Sequence, residues 1–209
     1  MNNLKEELTL EILWRYRELK NIKILYDSNI IVKPIGTSNL TSIINSPQSK
    51  YIMRSAVPVI YAHWEGFFKK AIEILNTELD KLNVDFNRLD NVLLSILLKD
   101  KHTIKYKNTK FKFAEIVIDT ESNLSWKVIE KFSNRYNFNI KSFEKHKPII
   151  QQLLTTRNGI SHGENAYHFD NFNKINQFIR TVIKLMILLR NNILDCLVHK
   201  TYYRRSIND

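Results

Sequence analysis

Arg157, Asn158 and His162 are side chains of the kinds that bind phosphate and move protons, and they sit within one short stretch, Thr155-Thr156-Arg157-Asn158-Gly159-Ile160-Ser161-His162-Gly163-Glu164. A guanidinium offers a phosphate two parallel hydrogen bonds, and an imidazole, which ordinarily titrates at about pH 6.5, carries protons in either direction near neutrality. Strand cleavage of RNA asks for such groups. The 2′-hydroxyl is a built-in nucleophile that needs a base, the leaving 5′-oxygen needs an acid, and the phosphorane needs cationic donors. That chemistry requires no metal.

The residues before the cluster predict the element that carries it. Pro148 is tolerated in a first helical turn, and Ile149, Ile150, Leu153 and Leu154 fall on one side of a helix that Gly163 would end. At about 100° per residue, Asn158 and His162 share a face, whereas Arg157 lies about 140° from His162 around the axis. For both to meet one phosphate, the chain needs a reaching side chain, a local distortion at Gly159, or a second copy of the helix. A competing reading treats Arg157 and His162 as cationic residues favoured by the dipole at a helix C-terminus.

A second histidine lies in the segment Tyr61-Ala62-His63-Trp64-Glu65-Gly66-Phe67-Phe68-Lys69. His63 and Glu65 are about 200° apart on a helix, so both cannot face one site, and Glu65 shares a face with Tyr61. Glu65, or failing that His63, is a candidate to orient the imidazole or guanidinium from behind, with Ser161 as a further supporting residue. The alternative is a polar contact between helices beside a tryptophan anchor. Lys99, Lys101, Lys105, Lys107, Lys110 and Lys112 recur with Tyr106, Phe111 and Phe113 among them. Lysines neutralise phosphates and aromatic rings stack on bases, so Lys105, Lys107, Lys110 and Lys112 form a candidate RNA-tracking surface, with a solvated hairpin or short helix as the alternative.

Three segments in order resemble the HEPN superfamily (higher eukaryotes and prokaryotes nucleotide-binding), in its MAE-type and RiboL-PSP-type branches. They are the Arg-Asn-x-x-x-His pattern of Arg157 to His162, the Tyr-Ala-His-Trp-Glu-Gly-Phe run from Tyr61, and Thr120-Glu121-Ser122-Asn123-Leu124. The resemblance covers about residues 50–190. It implies an all-α, up-and-down helical bundle and a metal-independent endoribonuclease with a composite site at a homodimer interface. In that site His162 would act as general base or acid, Arg157 as the phosphate clamp, and Asn158 as an orienter. It also implies a toxin or phage-defence role, with a cognate antitoxin protein as partner. The alternative is a non-catalytic HEPN module that binds RNA, a nucleotide or a partner protein.

Composition fits this reading. A chain of 209 residues with 44% hydrophobic residues, four glycines and four prolines is expected to form one globular, helical domain over residues 1–209. The lone cysteine, Cys196, excludes an intramolecular disulfide framework and makes a reduced, cytoplasmic setting the default. No apolar run reaches the roughly 18 residues needed to span a bilayer, and the start, with Glu6 and Glu7, lacks a signal-peptide layout, so no membrane association is expected. A net charge of +11 points to an anionic partner, RNA first, although an AT-rich genome would enrich lysine, asparagine and isoleucine in the same way. The single cysteine, and the mismatch of His162, Glu164 and His168 to a zinc-protease helix, predict no metal and no cofactor.

Apolar periodicity predicts the remaining elements. A first helix is expected over residues 4–26, with Leu8, Ile12, Leu19, Ile22 and Tyr26 as its stripe and Trp14 and Tyr16 in core roles beside it. Residues 29–46 read as a connection. A long helix follows from Ser46-Pro47, with Val57, Ile60, Trp64, Phe67, Ala71 and Ile74 inward and a kink at Pro58. Further helices are expected over residues 86–98 and 122–136, with a short irregular or hairpin insertion around 101–118. Phe172, Ile175, Ile179, Val182, Met186, Leu189 and Ile193 form a last seam, able to close a bundle or pair with another chain.

Overall fold

The computed structural model describes residues 2–31, 47–99, 112–164 and 172–204. Among them the protein is all-α, and its sole β-type pairing is an isolated bridge between Leu89 and Tyr203. The α-helices are α1 (Asn2–Ile31), α2 (Pro47–Lys81), α3 (Asn91–Lys99), α4 (Trp126–Tyr136), α5 (Lys141–Glu144), α6 (Lys147–Ser161) and α7 (Phe172–Val198). Single 3-10 turns occupy Phe86–Arg88 and Phe113–Glu115. No helix is long and apolar enough to cross a membrane among the described residues.

The chain divides into two compact units. One comprises Leu10–Phe67 and His146–Ile187, and the other Met1–Thr9, Phe68–Lys145 and Leu188–Asp209. In the first, the expected stripe of α2 is buried at Val57, Ile60, Trp64 and Phe67. Ile12 and Leu19 of α1, Ile150 and Leu153 of α6, and Ile175, Phe178, Ile179, Val182 and Met186 of α7 are buried as well. Ile175, Ile179, Val182 and Met186 of the α7 seam are therefore covered within the chain, as closure of an intramolecular bundle requires. Pro58 lies inside α2 without interrupting its span, where it removes one backbone donor.

Three expectations change here. Trp14 and Tyr16 are 45% and 41% exposed, not core residues, because the inward stripe of α1 runs through Leu8, Ile12, Arg15 and Leu19. Arg15 takes the buried place between two apolar turns and is compensated by Glu11, whose carboxylate and carbonyl oxygen both accept from Nη1. The first helix also runs to Ile31, past the start of the expected connection. Residues 32–46 lie outside the described residues.

In the second unit, Phe68, Ala71, Ile72, Leu75 and Leu79 of α2 are buried, as are Val128, Ile129, Phe132 and Tyr136 of α4 and Leu189, Ile193 and Cys196 of α7. Phe68 meets Phe132 edge-on at 5.2 Å. The buried Tyr136 hydroxyl donates to Asn76 Oδ1 at 2.6 Å, and burial pushes its pKa up to about 12, a rise that the nearby Arg135 and the Asn76 bond oppose. The helix expected over residues 86–98 is split. Asp90 accepts from the Val92 amide and caps α3, while Leu89 before it pairs with Tyr203 and Arg204 Nε donates to the Leu89 carbonyl. The helix expected from residue 122 starts at Trp126, because Ser125 is its N-cap and Glu121 and Ser122 take left-handed backbone angles, φ 52° and 66°. Of the insertion expected around 101–118, residues 101–111 lie outside the described residues, and the remainder is a 3-10 turn with irregular flanks.

Candidate functional site

The Arg157 to His162 cluster lies on α6 and the turn that ends it. Ile150, Leu153, Thr156 and Gly159 form the buried side of α6, which leaves Arg157 and Asn158 half-buried at its flank and Ser161 and His162 exposed at its end. Gly163 is the reason the helix stops there. At φ +72° it occupies the left-handed region, its amide donates to the Ile160 carbonyl at 3.2 Å, and the Glu164 amide donates back to the Gly159 carbonyl at 3.0 Å. This pair of bonds is a Schellman closure, and it fixes the backbone of His162, the C-cap residue, at φ −85° and ψ 0°. An exposed imidazole thus stands on a defined backbone rather than on a loose loop.

The guanidinium is fixed by different means. Arg157 Cζ lies 5.0 Å from the centroid of the Tyr61 ring, and Nη1 donates to Asn158 Oδ1 at 2.8 Å. Tyr61 is 2% exposed and belongs to α2, so the cation rests on the face of a ring held in the core. Asn158 contributes in two ways, its side chain to Arg157 and its carbonyl to the His162 amide at 2.9 Å. The helix runs unbroken through Gly159, so no local distortion brings Arg157 round toward His162.

The supporting candidates separate. Glu65 is half-buried on α2, one turn from Tyr61, as the shared face requires. His63, about 200° around α2 from Tyr61, belongs to another group. Its ring meets Trp14 edge-on at 5.5 Å, and burial, with Arg15 adding to it and Glu18 opposing, pushes its pKa below the usual 6.5. Arg15 Cζ sits 4.2 Å from the Trp14 ring centroid, and Trp14, Pro58, Val59, Ala62 and Gly66 complete an open, apolar groove beside His63. Lys112 is exposed just before the Phe113–Glu115 turn, whereas Lys105, Lys107 and Lys110 lie outside the described residues. Residues 120–124 form a tight turn, in which the Glu121 amide donates to Asp119 Oδ1 at 2.7 Å and the Asn123 amide to the Thr120 carbonyl at 2.9 Å.

Two members of these groups escaped the sequence reading. Tyr61 stands in the sequence as the first residue of the Tyr-Ala-His-Trp-Glu-Gly-Phe run and as a neighbour of Glu65, and its contact with Arg157 depends on a partner helix that spacing within α2 does not reveal. Arg15 carried a fainter signal, a charged residue at the position where the stripe of α1 calls for an apolar one.

A model of the MAE_28990-like HEPN family matches residues 4–202, nearly the whole chain. This chain belongs to the HEPN superfamily. HEPN domains are nucleotide-binding modules and include ribonucleases, and the all-α architecture agrees with membership. Comparison with curated proteins and with solved structures finds no match to this HEPN chain.

Proposed function

We propose that residues 1–209 form a HEPN-like domain that works as a metal-independent endoribonuclease. The observation that carries this reading is the end of α6, where an exposed His162 on a fixed backbone follows an Arg157 guanidinium already oriented by Tyr61 and Asn158. In the proposed reaction an imidazole takes the proton of the 2′-hydroxyl, that oxygen attacks the adjacent phosphorus, and the bond to the 5′-oxygen breaks. A second, protonated imidazole supplies the leaving oxygen with its proton. Arg157 holds the non-bridging oxygens as charge builds on them. The products are a 2′,3′-cyclic phosphate and a 5′-hydroxyl.

One chain supplies a single signature histidine, and with α6 regular through Gly159, Arg157 and His162 lie about 140° apart around the axis. A two-fold homodimer with its signature helices opposed would bring two imidazoles and two guanidinium groups to one cleft. Glu65 is the candidate to steady that cluster through α2, and Lys112 with Lys105, Lys107 and Lys110 the candidate surface for the rest of the strand. A toxin or phage-defence role, with an antitoxin partner, is the biological setting we propose.

The test is RNA cleavage in excess EDTA by wild type, Arg157→Ala and His162→Ala. Removing a general acid or base should lower the rate about 100-fold or more, and Arg157→Ala should lower it comparably. A magnesium requirement, or undiminished cleavage by His162→Ala, would overturn the mechanism. Salt-sensitive RNA binding without turnover would select instead a non-catalytic HEPN module. Expression should arrest growth, and His162→Ala should relieve the arrest.

A further inference from the structure

Arg157 lies on the flank of α6, yet the place of its guanidinium is set from α2. The Tyr61 ring centroid is 5.0 Å from Cζ, and Asn158 Oδ1 takes Nη1 at 2.8 Å. A tyrosine has few rotatable bonds, and this one is almost wholly buried, between the buried Ile60 and Trp64 on α2. The ring is therefore a rigid surface, whereas an unsupported arginine samples many rotamers and loses that freedom when it grips a phosphate.

We infer that Tyr61 is a positioning residue for Arg157, its π-face holding the guanidinium in the orientation that meets the scissile phosphate. This deepens the endoribonuclease reading and rests on it for the identity of the anion. The ring and the Asn158 side chain contribute differently. The ring fixes the cation's depth and shields one face from water, which strengthens the attraction between them. The Asn158 side-chain oxygen accepts from Nη1 at the side of the fork and limits its rotation. A tyrosine ring at this point also explains why a guanidinium stands there, since its delocalised plane lies over an aromatic face more readily than a strongly hydrated ammonium does.

Ring electronics separate positioning from plain packing. Tyr61→Phe serves as reference, and phenylalanines carrying one, two and three ring fluorines are placed at position 61 of the full chain. Each fluorine drains the negative π-face while changing the ring's shape little. RNA cleavage in EDTA should fall stepwise by about tenfold in total across the series, in kcat more than in KM, at an unchanged melting temperature. In an Arg157→Ala background the series should be flat. A flat series with Arg157 present, or an equal decline without it, would overturn the inference. If wild type does not cleave, the endoribonuclease reading fails on its own, and the affinity of the same series for a short single-stranded RNA then decides. A stepwise weakening that depends on Arg157 supports positioning, and equal affinity throughout, or no binding by any member, refutes it.

Discussion

At the scale of single residues, the proposed site lies where backbone and side chain are fixed independently. His162 owes its place to the Schellman closure, and Gly163 holds that closure at φ +72° with open space where a Cβ would go. Gly163→Ala should therefore cost backbone strain only, about 1 kcal/mol in a denaturant titration, and should lower cleavage further by loosening His162. A loss of several kcal/mol would point to a steric clash that the geometry does not contain. Cys196 is a contrasting case. It is 1% exposed, burial pushes its pKa up to about 11, and its Sγ lies 3.5 Å from the Tyr136 carbonyl. It should resist alkylation at neutral pH until the protein unfolds, and rapid modification of the native chain would contradict its packing. Arg157, Asn158 and His162 could be picked out from the sequence because their side chains suit phosphate and proton chemistry and because their pattern occurs in order with two other HEPN-like segments. The Tyr61 ring beneath Arg157 could not, since a contact between two helices depends on packing that neither stretch encodes alone.

At the scale of elements, short polar side chains decide where helices begin and end. Asp80 on α2 accepts from the Phe113 amide at 2.6 Å and the Ala114 amide at 3.0 Å, so one carboxylate caps the 3-10 turn that follows the lysine-rich segment. Asp80→Ala should destabilise the protein by about 1–3 kcal/mol, measured by denaturant unfolding, because two backbone donors lose a charged acceptor. A change below a few tenths would mean that water replaces the carboxylate at no cost. The long helices could be read from apolar periodicity, as the buried Val57, Ile60, Trp64 and Phe67 of α2 demonstrate. Boundaries set by capping were harder. The split at Leu89 depends on a bridge to Tyr203 far along the chain, and the late start of α4 depends on which of several serines and asparagines serves as the cap. The exposure of Trp14 was hidden for a related reason, since Arg15 beside it takes the buried position, paired with Glu11 and set against the Trp14 ring.

At the scale of the whole molecule, membership in the HEPN superfamily and the all-α architecture agree, and charge couples both to solution behaviour. The pKa of His63 is held below 6.5 chiefly by burial, with Arg15 reinforcing and Glu18 opposing. As pH falls below about 6.5, the unfolded chain takes up a proton that the folded chain resists, so stability should decline through that window and hold steady above it. Urea unfolding between roughly pH 5 and 7 should show a shallower decline for His63→Gln than for wild type, and parallel profiles would dissociate His63 from the effect. The proposed shared cleft makes a separate demand. If two chains complete one site, adding His162→Ala chains to wild type should reduce cleavage as the square of the wild-type fraction, whereas independent sites would give a linear fall. The central claim, that the end of α6 cuts RNA through its own 2′-hydroxyl, is met most directly by determining the ends of fragments produced in EDTA. We predict 5′-hydroxyl and 2′,3′-cyclic phosphate ends that disappear with His162→Ala, whereas 5′-phosphate ends, or the same fragments at the same rate from the variant, would contradict it.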